Sequence, residues 1–125
     1  MKSGTMIPGT MKHSLILLCL VLASCTSIVT EPFYWGNYSR TAYEYAKNPT
    51  GKTRENHQRE LIRIIEVSDK RKRLVAPGIH AELARLYWQQ GDSQRAETHW
   101  QKEVQLYPES RPFLDFYSSK MGVRK

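Results

Sequence analysis

The chain has 125 residues, two cysteines and a formal net charge of +7. That length suits one small domain, and so few cysteines exclude a disulfide-dense scaffold. The basic balance fits an anionic membrane surface. Nucleic acid, the other common partner of a basic chain, is argued against by an export signal at the N-terminus, because exported proteins rarely meet it.

Lys12 and His13 precede an apolar run from Leu15 to Leu22, which closes on the small residues Ala23 and Ser24. The run is too short to cross a bilayer as a helix and is built like an export signal. Leu22-Ala23-Ser24-Cys25 resembles the lipobox of bacterial lipoproteins at every position. The resemblance implies a signal peptide over residues 1–24, cleavage after Ser24 and lipidation of Cys25. Acyl chains then replace the signal as anchor, at roughly 0.8 kcal/mol per buried methylene, so two or three chains hold durably where one holds marginally. The alternatives are a secretory peptide in which Cys25 is incidental, or a short uncleaved anchor. Met11 starts a signal of more usual length than Met1 does.

Cys19 leaves with the signal and Cys25 is consumed by lipid, so the mature domain holds neither a disulfide nor a free thiol. It must fold on core burial alone over 125 minus 24, or 101, residues. Losing Lys2 and Lys12 leaves 17 Lys and Arg against 12 Asp and Glu, a formal charge of +5. Thr26 stands where Asp commonly retains lipoproteins in the inner membrane. The same resemblance therefore implies the bacterial outer membrane, with the domain lipid-anchored on its periplasmic face.

Residues 25–32 form a lipidated tether ending in Pro32. An aromatic segment follows, Phe33-Tyr34-Trp35-Gly36-Asn37-Tyr38, and Tyr38, Ala42, Tyr45 and Ala46 then recur at helical spacing up to Lys47. Asn48-Pro49-Thr50-Gly51 stops this first helix. A second runs from about Thr53, its expected N-cap, to Leu74, with His57, Leu61, Ile64, Ile65 and Ser68 on one face. Its end carries Lys70-Arg71-Lys72-Arg73, read either as a solvated helix end favoured by the dipole or as a contact with anionic headgroups.

Counting Pro77 as the first position of a 34-residue unit places Leu83, Ala84, Tyr87, Gly91, Ala96, Trp100 and Pro108 where they resemble the tetratricopeptide repeat. Ala84 and Ala96 would let two helices approach, Tyr87 and Trp100 fill the space, Gly91-Asp92 turn the chain and Pro108 end the hairpin. Two residues depart from the pattern. His80 replaces the usual Trp and Glu103 the usual Ala, and a buried carboxylate there needs an open end or a partner. Ser110 caps a last short helix carrying Phe113, Leu114, Phe116 and Tyr117. The expected fold is all-α, with four main helices in tetratricopeptide-like hairpins over residues 33–117, a short C-terminal capping helix, and a basic tail over 118–125.

Enzyme chemistry needs a nucleophile with a base, paired carboxylates or metal ligands at suitable spacing, and none is legible. His57, His80 and His99 stand apart from Cys or acidic partners at ligand spacing. The expectation is a non-enzymatic chain without catalytic residues, metal or cofactor. In the repeat register the first helix would display Ala81, Arg85, Trp88 and Gln89 on a concave face, and Trp with Arg is a pair enriched in binding hot spots. Trp88 packed against the preceding helix is the alternative. Trp35 and its aromatic neighbours either close the helical stack or form a docking surface near the lipid anchor.

The lipobox, the Phe33-to-Tyr38 segment, Lys47-Asn48-Pro49, Pro77-Gly78 and Leu106-Tyr107-Pro108-Glu109-Ser110 together resemble a family of small bacterial lipoproteins of unknown function. Its members are typically encoded beside a lipoprotein of the curli-secretion-channel type and a second small lipoprotein. The resemblance implies envelope lipoproteins as partners, a curli-secretion-channel-type protein among them. It also implies a role as a protein–protein interaction module or accessory subunit of an envelope complex. The alternatives are a structural accessory in assembling a secretion channel or surface appendage, or a basic module contacting membrane or cell wall.

Overall fold

The computed structural model describes residues 31–120, together with Gly4 and Gly122. The signal segment, Cys25 and most of the expected tether lie outside the described residues, as do Met121 and the last three positions. The described elements are all helical: α1 (Tyr38–Lys47), α2 (Gly51–Lys70), α3 (Ile79–Gln89), α4 (Ser93–Leu106), a 3-10 turn (Pro108–Ser110) and α5 (Arg111–Lys120). They form two hairpins and a short C-terminal helix, as the periodicity predicted. None of these helices is long and apolar enough to cross a membrane.

Local chemistry sets each boundary. The chain enters α1 through Gly36 at φ +48°, and Asn37 caps without using its side chain. Lys47 sits in the last turn, where the dipole favours a cation, and Pro49 prevents continuation. Helix α2 starts earlier than expected, because Thr50 is the N-cap and Thr53 its reciprocal partner. Thr50 Oγ1 accepts from Thr53 N at 3.2 Å, while Thr50 N donates to Thr53 Oγ1 at 3.0 Å. Starting at Thr50 uses both threonines, whereas starting at Thr53 would leave one idle.

The same helix ends at Lys70, four residues short of the expected Leu74. Lys72 turns into the left-handed region at φ +52°; Arg73 N then bonds Ser68 O at 2.9 Å and Lys72 N bonds Asp69 O at 3.0 Å. This is a Schellman stop with lysine at the position usually held by glycine. Helix α3 closes the same way on Gly91 at φ +78°, with Asp92 N to Tyr87 O at 2.9 Å and Gly91 N to Trp88 O at 3.0 Å. Asp92 then caps α4, accepting from Arg95 N at 2.9 Å. Ser110, expected to cap the last helix, instead directs its hydroxyl to Glu103 at 3.4 Å. Helix α5 runs to Lys120, beyond the start assigned to the basic tail, and buries Ser118.

The core is centred on α3, which buries Ile79, Leu83, Ala84, Leu86, Tyr87 and Trp88. Leu61 and Ile64 of α2, Ala96, Trp100 and Val104 of α4, and Leu114 of α5 complete it. Ala84 and Ala96 are fully buried, consistent with the close helix approach expected of them. Each buried Leu or Ile contributes about 1.5–3 kcal/mol. Val75 and Ala76 close the loop between hairpins, and Tyr107 donates its hydroxyl to Val75 O at 2.6 Å, fastening that loop to the end of α4.

Candidate partner-binding groove

Two buried carboxylates organise the domain. Glu60 of α2 accepts from Asn37 N at 2.7 Å and is held by Arg63 at 2.8 and 3.0 Å. Burial pushes its carboxyl up, but the Arg63 guanidinium and the Asn37 amide outweigh that and keep it below the usual range. Glu103 of α4, 1% exposed, accepts from Gly78 N at 2.8 Å and Ala81 N at 3.2 Å. Each glutamate thus satisfies backbone donors at the start of the preceding helix, where four N–H groups lack partners. The misfit expected of Glu103 resolves as a cap reaching across its own hairpin.

The two hairpins repeat this arrangement. Gly36 and Gly78, both at positive φ, lie 42 positions apart, as do Tyr45 and Tyr87, and His57 and His99. Tyr45 stacks on His57 with centroids 6.2 Å apart, and Tyr87 on His99 at 5.6 Å. Tyr38 and His80, also 42 apart, meet the same two histidines. The histidines therefore have partners that their sequence spacing concealed.

His57 is fully buried between Thr41, whose hydroxyl lies 2.8 Å from Nδ1, and Glu82. Its Nε2 is 3.1 Å from Glu82 Oε1, close but not aligned as a hydrogen bond. Tyr38 donates to Glu82 Oε2 at 2.8 Å. Burial pushes the Glu82 carboxyl up, yet His57, Tyr38 and the charge of Arg85 hold it below its ordinary value. Burial and the same carboxylate push the Tyr38 hydroxyl up to about 12. In the second hairpin His80 and His99 share an Nδ1 to Nδ1 contact of 2.8 Å. Burial, His99 and Lys102 lower His80 to about 4. Among the described residues no group of three or more His, Cys, Asp and Glu is placed to hold a metal ion.

Glu82 also backs an apolar groove of about 190 Å³ between α3 and α5, bounded by Ala81 and Arg85 on one side and Phe113, Leu114 and Tyr117 on the other. Arg85 lies at its rim, 3.4 Å from both Glu82 and Gln89 and 29% exposed. Phe113 and Phe116 of α5 are 63% and 61% exposed. Of the residues expected on this face, Ala81 and Arg85 line the groove and Gln89 is exposed beside Arg85. Trp88 does not lie open on it. It is 5% exposed and stacks on Tyr117 at 6.2 Å, because α5 covers the position that a bare hairpin would expose.

Trp35 is 39% exposed and meets Phe33 and Tyr38 edge-on at 6.4 and 5.6 Å. Phe33, Tyr34 and Tyr38 pack against the core, so the aromatic segment is chiefly a closing wall with Trp35 half uncovered. Cys25 lies outside the described residues. The polar set Tyr38, Thr41, His57 and Glu82 was missed from sequence, and its only linear trace is the 42-residue echo of Tyr45 and His57 in Tyr87 and His99.

A family model described as a domain of unknown function (DUF4810) matches residues 33–117. No curated protein and no solved structure matches the chain.

Proposed function

The chain belongs to this DUF4810 family, and we propose that it is a lipid-anchored periplasmic adaptor that binds another envelope protein in the groove between α3 and α5. The observation that carries this is the groove itself. It joins an apolar floor to the exposed ring of Phe113, with the cation of Arg85 at its edge. An apolar side chain with a neighbouring carboxylate is the chemistry it fits, and the net basic charge of the mature chain favours an acidic partner. The buried network behind it, from Thr41 through His57 to Glu82, ties the groove wall to the first hairpin and holds it rigid. Binding without catalysis is the role assigned.

Resemblance to small lipoproteins encoded beside curli-secretion-channel-type lipoproteins supports a partner of that kind. The lipobox ending in Cys25 supports the anchor, and Thr26 supports the outer membrane. Replacing Arg85 and Phe113 together by alanine removes the rim charge and one groove wall, and co-purification of the partner from crosslinked cells is expected to be lost. Retention of the partner by the doubly substituted chain would refute the groove. Cys25→Ser is expected to release the chain from the membrane fraction, and a variant still fully in that fraction would refute the anchor.

A further inference from the structure

Four consecutive cations, Lys70, Arg71, Lys72 and Arg73, stand exposed where α2 ends, and Leu74, 62% exposed, follows them. Among the described residues none of the four forms an ion pair. The left-handed Lys72 makes this stretch a tight projecting turn rather than another coil of helix. Beside it lies a pocket of about 270 Å³ bordered by Arg73, Leu74, His80, Lys102 and Leu106, with Asp69 the acidic group on its wall.

The start of the described chain is fastened to this turn. Arg73 donates to Glu31 O at 3.4 Å, and Arg71 lies 4.7 Å over the Tyr34 ring, which Arg63 meets at 5.5 Å. Residue 31 is six positions beyond Cys25, and six peptide units span at most about 20 Å. A lipidated Cys25 would therefore hold residue 31 within about 20 Å of the bilayer, with the Arg73 side chain of the turn bonded to it.

We infer that the turn Lys70–Leu74 and the pocket beside it form a second contact with the membrane, recognising anionic phospholipid and orienting the domain on the bilayer. The cations, which form no ion pair among the described residues, supply attraction to headgroups, Leu74 supplies an apolar side chain to the interface, and the pocket offers cationic and apolar walls to one headgroup. Proximity to the bilayer rests on the anchor proposed at Cys25; the chemistry of the turn does not.

The test uses the full chain bound to vesicles of phosphatidylcholine alone, or with phosphatidylglycerol in equal parts and a phosphatidylglycerol probe photoactivatable at its headgroup. Crosslinks mapped by mass spectrometry are expected to concentrate on residues 70–74. Their yield should fall roughly fivefold for each charge removed, as in Lys72→Gln, and should collapse at about 1 M salt, where screening shrinks to about 3 Å. The salt result needs no variant and so does not depend on a substituted turn folding. Crosslinks spread evenly over the domain, or unaffected by salt and by Lys72→Gln, would overturn the inference. Association with the neutral vesicles reports the anchor separately, so its loss with crosslinks retained would refute the anchor and leave the turn standing.

Discussion

Glu60 and Glu103 each spend a buried carboxylate on backbone N–H groups at a helix start. Replacing Glu103 by alanine leaves Gly78 N and Ala81 N unsatisfied, and we expect a loss of about 2–4 kcal/mol in urea unfolding. Glu103→Gln keeps an acceptor and should cost less than half of that. Gly36→Ala is expected to cost about 2–3 kcal/mol by the same measurement. Its new Cβ would collide with Glu60 Oε1 and lie 2.7 Å from Arg63, at a φ of +48°. Sequence alone marked Glu103 as needing a partner and could go no further, since its donors are backbone groups 22 and 25 residues away with no side-chain signature. Gly36 likewise stood in a legible motif, but its role depends on a carboxylate from the next helix.

Helix ends show where periodicity misleads. The apolar face of α2 was readable from His57, Leu61, Ile64 and Ser68, all buried, while its end was not, because the stop uses Lys72 where glycine is the usual signal. Lys72→Gly should therefore raise stability by about 0.5–1 kcal/mol, seen as a rise in Tm of several degrees. In α3 the Trp88 indole is buried and its Nε1 has no hydrogen-bond partner among the described residues. Trp88→Phe should cost at most about 1 kcal/mol, whereas Trp88→Ala should cost about 3–5 kcal/mol. The His80–His99 contact joining α3 to α4 requires one unprotonated Nδ1. Because folding lowers His80 from 6.5 to about 4, the unfolded chain takes up protons first as pH falls below 6.5. Stability is then lost progressively down to about pH 4, by at most about 3 kcal/mol. Thermal unfolding between pH 7 and pH 4 checks this, and His80→Phe should flatten the profile.

For the molecule as a whole, both hairpins were legible as helices, but only the second had a legible register, because its spacing matches a known 34-residue pattern while the equivalent residues of the first recur after 42. The difference is about two helical turns. It arises because α2 has 20 residues and α4 has 14, and a longer loop follows α2. The groove could not be drawn from sequence, since it forms only when α5 folds back over Trp88 and supplies Phe113, Leu114 and Tyr117. The result is two similar hairpins with an apolar cleft between α3 and α5. This cleft is the proposed seat of a protein partner in the envelope. Its most direct test places a photocrosslinking amino acid at Phe113 in living cells, with another at Asn48 on the opposite hairpin end. A discrete partner adduct from position 113, absent from position 48 and lost when Arg85 is also replaced by alanine, is the predicted result. Adducts equal at both positions, or none at 113, would contradict it.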